Sequence, residues 1–199
     1  KFLASLRSDT ILVSIMHVNN ETGVIQDIAQ LAEITSQKGI LFHVDAAQSM
    51  GKLGLDVTQI PVDLISLSAH KVYGPKGIGA LYLRRKPRVR VEPLLHGGGH
   101  EQGMRSGTLP THQIVGMAEA FRLAKLETQS DNLRITTLRD QFLAILQQAP
   151  CVKLNSQLTD CVPHIINFQC QGMLADAILA QVPEIAASTA SACQGKGTE

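Results

Sequence analysis

Apolar and β-branched residues gather in short, unbroken runs through the first half of the chain. Residues 11–18 (ILVSIMHV), 40–44 (ILFHV), 62–67 (VDLISL) and 78–83 (IGALYL) each read as a strand buried in a sheet. Asn19-Asn20-Glu21-Thr22-Gly23 makes a turn after the first run. Ile28, Leu31, Ala32 and Ile34 then recur at helical spacing, and Gly39 stands where such a helix should end. Strand, helix, strand in this order predicts an α/β sheet whose site lies beyond the carboxyl ends of its strands.

The rhythm breaks at residues 87–109, a stretch containing His96-Gly97-Gly98-Gly99-His100 and Arg105-Ser106-Gly107-Thr108. An amphipathic helix is predicted over 110–127, with Ile114, Met117, Ala118, Phe121 and Ala124 on one face. A second helix is predicted over 131–148, capped by Ser130-Asp131-Asn132. Beyond Pro150 the pattern predicts a strand at 165–168, a helix at 173–181 and a strand near Ile185. The domain boundary is placed near Leu126, giving domains of 1–126 and 127–199.

A composition of 44% hydrophobic and 18% charged residues belongs to an ordinary globular protein. A formal net charge of +1 gives no electrostatic reason to expect nucleic acid or an anionic membrane as a partner. No apolar run reaches the roughly 20 residues of a bilayer-spanning helix. Cys151, Cys161, Cys170 and Cys193 match no zinc spacing and include no C-x-x-C pair, so reduced thiols in a cytoplasmic protein are expected. The first three read as packing residues. The chain opens on Lys1 close to a strong strand, and the expectation is a piece of a longer protein.

Chemistry concentrates at the strand ends. Lysine is costly to hold where a buried strand finishes, yet Ser68-Ala69-His70-Lys71 places hydroxyl, imidazole and amine together there. Such a lysine suits a carbonyl cofactor held as a Schiff base. Asp45 with Gln48 follows a second strand and Asn20 a first. Taken singly, Asp45 is more simply a turn former or helix cap and His70 a structural histidine. Strand ends of one sheet share a crevice, so the joint reading outweighs the separate ones. Cys193, among Ser188, Thr189, Ser191, Gln194 and Gly195, sits in a polar segment suited to an exposed nucleophile, although a small-residue cysteine is also a common packing residue.

Met16-His17-Val18-Asn19-Asn20-Glu21-Thr22-Gly23, His43-Val44-Asp45-Ala46-Ala47-Gln48, Ser68-Ala69-His70-Lys71, Arg105-Ser106-Gly107-Thr108 and Thr189-Ala190-Ser191-Ala192-Cys193 resemble, in order, the signature blocks of NifS/IscS-type cysteine desulfurases. These are pyridoxal-phosphate enzymes of the class V aminotransferase family. The resemblance implies an aminotransferase fold type I large domain with a mostly parallel sheet, followed by part of a smaller α+β C-terminal domain. It implies that Lys71 carries pyridoxal 5'-phosphate and shuttles the proton at the substrate Cα. Asp45 would pair with the ring nitrogen, Asn20 and Gln48 would bond the ring oxygen, and Ser68 and His70 would bind the phosphate. Thr108 would reach the phosphate of the partner subunit in a homodimer.

By the same resemblance, the Cys193 thiolate takes sulfur from L-cysteine as a persulfide, leaving L-alanine. The sulfur would pass to an iron–sulfur scaffold or a tRNA-thiolation relay, and Cys193 is a candidate transient iron–sulfur ligand. The family's phosphate-binding turn, its ring-stacking histidine and its carboxylate-binding arginine have no counterpart within this sequence, so a weakly active or inactive fragment is also implied. Ala190 replaces the glycine usual in the cysteine loop. A catalytically incomplete, sulfur-handling partner domain stays open beside the enzyme.

One rival enzyme is a serine acyl-enzyme, because Ser68 to Lys71 fits S-x-x-K and Ser130-Asp131-Asn132 fits S-D-N. It lacks K-T-G and needs its serine to open a helix. His96-Gly97-Gly98-Gly99 fits an esterase oxyanion loop without the G-x-S-x-G that should accompany it, and the glycines oppose a helical zinc pair of His96 and His100. Gly74-Pro75-Lys76-Gly77-Ile78-Gly79 has neither of the nucleotide-binding spacings.

Overall fold

The computed structural model describes residues 1–187 and 189. A short helix α1 (Phe2–Ser5) precedes strand β1 (Leu12–Met16), helix α2 (Ile28–Gln37) and strand β2 (Leu41–Asp45). Strands β3 (Leu64–Ser68) and β4 (Gly79–Leu83) follow, then the long helix α3 (Thr111–Leu146). Strands β5 (Val152–Leu154) and β6 (Phe168–Cys170) and helix α4 (Ala175–Leu179) complete the strands and α-helices of the described residues. The chain divides into two compact units, Lys1–His17 with Asp27–Thr128, and Val18–Gln26 with Gln129–Glu199.

In the first unit four strands lie in the order β1-β2-β3-β4. The first three are parallel and β4 runs antiparallel to β3. Pleating sorts each strand's residues by face. Phe42 and Val44 are fully buried with Val13 and Ile65, whereas Leu41, His43 and Asp45 take the alternate positions of β2. Helix α2 closes this core with Ile28, Ala32 and Thr35, all on one side at helical spacing. The Asp27 side chain caps it by accepting from Gln30 N at 3.0 Å. At its other end Gly39 N donates to Ser36 O and Ile40 N to Thr35 O, a Schellman motif that ends the helix at the glycine expected to end it.

A buried carboxylate just before β3 ties it to β2 and to the end of β4. Asp63, 3% exposed, accepts from Phe42 N at 2.8 Å and also bonds the Arg84 guanidinium. Both carboxylate oxygens are thus engaged, which is what a buried carboxylate requires.

The second unit pairs β5 with β6 antiparallel and buries Val18, Leu143, Cys161 and Val162. It includes residues 18–26, bound to residues 155–167 by an antiparallel bridge of Val24 to Cys161 and by Ile25 N donating to Asp160 O at 2.8 Å.

Several expected elements differ. The two helices expected at 110–127 and 131–148 are one, and Ser130-Asp131-Asn132 lies inside it rather than capping a new helix. Thr128 Oγ1 keeps the turn together by donating to Ala124 O, and Asp131 pairs with Arg134 one turn on. Its buried positions in the first unit are Met117 and Ala120, while Ile114 and Ala118 of the expected face are exposed. The strand expected at 165–168 forms at Phe168–Cys170, and among the described residues no strand forms near Ile185, which lies in a bend. Cys161 is buried, and Cys151 and Cys170 are half-buried free thiols.

Candidate active site

Two parallel strands of the first unit end side by side on the predicted chemistry. The register sets Asp45 opposite Ser66, and Ala46 N donates to Ser66 O at 3.0 Å, so the chain leaves β2 still locked to β3. Asp45 Oδ1 then accepts from Ala47 N at 2.9 Å, an Asx turn that opens the helical turns carrying Gln48. Asp45 and Gln48 are both half-buried, accessible to a ligand without being fully solvated.

Beyond β3, the hydroxyl of Ser68 and Nδ1 of His70 are 2.8 Å apart. With Ser68 donating to Nδ1, the proton of a neutral ring lies on Nε2, which can donate to an anion. Lys71 occupies the middle of a one-turn 3-10 helix, His70–Val72. Ala69 and Val72 pin this turn inward, at 0% and 4% exposed, while His70 and Tyr73 face solvent and Lys71 is half-buried. Tyr73 adopts a left-handed φ of 64°, reversing the chain into Gly74. The loop is therefore held by its buried apolar residues, with His70 and Tyr73 turned to solvent and Lys71 half-covered.

That geometry separates the rival motif readings. Ser68 closes a strand and bonds to His70, so it is not the helix-opening serine that an acyl-enzyme needs. His96 and His100 form no group that could hold a metal, and no His, Cys, Asp or Glu cluster of that kind occurs among the described residues. His100 Nδ1 instead accepts from Gly107 N at 3.2 Å, and Ser106 Oγ accepts from Gly99 N at 3.3 Å. These bonds shape the loop that presents Thr108, which is exposed. Asn20, in the turn after β1, belongs to the second unit. Cys193 lies outside the described residues.

Three polar residues escaped the sequence reading. Lys52 follows Gly51, whose backbone lies so close to Val72 that an added Cβ would sit 2.8 Å from Val72 Cγ1. Burial holds the Lys52 ammonium below its usual value, and the positive charge of Lys71 adds to the depression. His43 bridges three strands, with Nδ1 2.7 Å from Ser14 Oγ and Nε2 2.8 Å from Ser66 Oγ. Burial lowers its pKa, and the Asp45 carboxylate partly offsets that. His17, 7% exposed, ends the β1 segment with its backbone N donating to Asp45 O at 2.9 Å, and burial lowers its pKa too. The signal that could have found His43 is its H-x-D spacing with Asp45, which sets both on one face of a strand.

The family profile for aminotransferase class-V matches residues 1–196. The chain belongs to the class-V aminotransferase family. Within that family it is similar to the cysteine desulfurase IscS of Pseudomonas aeruginosa (strain LESB58), 54% identical over 196 residues, which are 98% of this chain and 48% of that protein. The cysteine desulfurase IscS of Methylobacillus flagellatus is 55% identical over 199 residues, 100% of this chain and 49% of that protein. Among solved structures, DndA from Streptomyces lividans superposes with a TM-score of 0.82 at 41% identity, covering 92% of this chain and 52% of that one. A NifS-like protein superposes at 0.85 and 34% identity, over 91% of this chain and 49% of that one. The chain spans about half the length of the curated relatives it matches.

Proposed function

We propose that this chain is the catalytic portion of a pyridoxal-phosphate-dependent cysteine desulfurase. The observation that carries the reading is the strand-end set of the first unit, with the Asp45 carboxylate, the Ser68–His70 pair 2.8 Å apart and the Lys71 amine delivered by adjacent parallel strands. The donor set fits the cofactor group by group: a carboxylate for a protonated ring nitrogen, hydroxyl and imidazole for a phosphate, an amine for a carbonyl. When bound, the cofactor supplies an imine-forming carbonyl and an electron sink for charge at the substrate Cα.

Lys71 would hold the cofactor through its amine and would move the proton at the substrate Cα. Asp45 would pair with the ring nitrogen and favour its protonated form, and Asn20 and Gln48 would bond the ring oxygen. Ser68 and His70 hold the phosphate, and Thr108 serves the phosphate of a partner subunit in a homodimer. The Cys193 thiolate attacks the sulfur of substrate cysteine. A sulfur–sulfur bond forms as the carbon–sulfur bond breaks, and the electron pair stays on the carbon skeleton, which takes a proton and leaves as alanine. The persulfide on Cys193 then serves a cytoplasmic sulfur acceptor, an iron–sulfur scaffold or a tRNA-thiolation relay.

Borohydride reduction of the purified full-length protein, followed by peptide mapping, should place the reduced cofactor on Lys71. Cys193→Ser should abolish sulfide release from cysteine and leave the yellow colour. Label on a different lysine overturns the cofactor assignment, and undiminished sulfide release in Cys193→Ser overturns the persulfide step.

A further inference from the structure

The turn bearing Asn20 is moored by side chains from more than a hundred residues downstream. Inside the turn, Asn19 Oδ1 accepts from Glu21 N at 3.0 Å and from Thr22 N at 2.8 Å. Gly23 N closes it by donating to Asn19 O at 3.0 Å. These bonds fix its shape but not its place. Three successive carbonyls do that. Glu21 O accepts from Asn167 Nδ2 at 3.1 Å, Thr22 O from Ser156 Oγ at 2.9 Å and from the Cys161 thiol at 3.6 Å, and Gly23 O from Val162 N at 2.9 Å.

The carbonyl of Glu21 closes the residue directly after Asn20, so its anchor has the shortest lever to the Asn20 carboxamide. That anchor is itself oriented. Asn167 Oδ1 accepts from Asn155 Nδ2 at 2.6 Å, which directs the Asn167 amide hydrogens toward Glu21 O, and Asn155 N donates to Asn167 O at 3.0 Å. Gly23 permits the approach: at a left-handed φ of 74°, an added Cβ would lie 3.1 Å from Ile165 Cβ.

We propose that Asn167, oriented by Asn155, is a positioning residue for Asn20, so that its bond to the turn sets the carboxamide's reach toward the cofactor ring oxygen. The proposal rests on the cofactor role given to Asn20 above. Asn167 touches no reacting atom. It acts through one peptide, and its removal loosens the turn at Glu21 while the bonds to Thr22 and Gly23 remain.

The test is a double-mutant cycle in the full-length holoenzyme with Asn20→Ala, Asn167→Ala and the pair. Cofactor dissociation constants come from titration of the apo-protein, and the position of the visible absorption band reports the bond to the ring oxygen. Asn20→Ala should weaken cofactor binding about tenfold and move the band, as loss of one hydrogen bond predicts. Asn167→Ala should weaken it about three- to tenfold and move the band the same way, and the double variant should be no weaker than Asn20→Ala. Where Asn167→Ala does not accumulate, Asn155→Ala leaves the anchor in place but unoriented and should show the smaller effect of the same kind. An Asn167 variant, or Asn155→Ala in its stead, that loses thermal stability while its band and dissociation constant stay put overturns the proposal. So do effects that simply add to those of Asn20→Ala. A colourless wild type with no borohydride label on Lys71 instead overturns the cofactor reading, and the proposal with it.

Discussion

Gly51→Ala is a single added methyl that should reach the lysine loop. Gly51 has a φ of 78°, where an L-residue costs about 1–2 kcal/mol. The new Cβ would also stand 2.8 Å from Val72 Cγ1 and 3.0 Å from Ala124 Cβ, and neither neighbour is a flexible chain end. Overpacking of this kind costs about 1–3 kcal/mol, so the two effects together destabilise the protein by about 2–5 kcal/mol. Val72→Ala alone removes two buried methyls and costs about 2 kcal/mol. In the double variant the space vacated by the valine methyls receives the methyl introduced by Gly51→Ala. The backbone cost and the 3.0 Å approach to Ala124 Cβ remain while the clash with Val72 disappears, so part of the overpacking cost returns as a favourable coupling of about 1–2 kcal/mol. The chain has no tryptophan, so urea unfolding is followed by far-UV circular dichroism. Cofactor titration should run in parallel, because a displaced Val72 carries Lys71 with it: Gly51→Ala weakens binding and the double variant recovers part of it. Additivity within about 0.5 kcal/mol would refute the reasoning, since it would mean that the two residues do not meet.

Asp63→Ala should cost about 3–5 kcal/mol by thermal or urea unfolding, because it strands the Arg84 guanidinium and the Phe42 N–H, and Asp63→Asn should lose less by keeping an acceptor for Phe42. A loss below about 1 kcal/mol for Asp63→Ala would contradict its structural role. Acidification should also destabilise the fold. His17 and His43 are held below the ordinary value of 6.5, so the unfolded chain binds protons that the folded chain refuses. Their contribution is complete above pH 6.5 and is lost as pH falls through the folded values. Unfolding free energy measured against pH should therefore rise through this window and rise less steeply in His17→Phe; an unchanged slope would remove His17 from the account.

The sheet and its strand ends were legible because the cues are local. A run of β-branched residues, a turn former and a glycine suffice to predict β2 and the Asp45 turn, and the structure adds only which neighbour each strand takes. Helix α3 was misread at Ser130-Asp131-Asn132 because cap residues are recognised by type. In mid-helix they cost at most about 0.7 kcal/mol each, which a continuous helix outweighs. The grouping of residues 18–26 with the second unit had no cue at all, since the bonds that decide it span separations such as the 134 residues from Thr22 to Ser156. His43 was equally opaque. A histidine inside a buried run reads as an anomaly until Ser14 and Ser66 are seen on the flanking strands, satisfying both ring nitrogens.

These two ways of placing a side chain have different mutational consequences. Asp45 and Ser68 are set by backbone ladders: parallel bonds between β2 and β3 hold Asp45 opposite Ser66, and the antiparallel pairing of β3 with β4 holds Ser68 opposite Gly79. The turn of Asn20 depends instead on a few side-chain donors, Asn167, Ser156 and Cys161, with one backbone N–H from Val162. Each net bond of that sort is worth about 0.5–1.5 kcal/mol. Truncating a core residue beside Asp45 should therefore lower stability before it alters the site, whereas truncating a donor to residues 21–23 should alter the site at little cost to stability. The lysine loop lies between these cases. Its anchor is the packing of the Val72 side chain against the Gly51 backbone, so a change that adds volume there perturbs it most directly. Sensitivity of the proposed cofactor contacts should thus rank Asn20 first, Lys71 second and Asp45 last for substitutions outside the site itself.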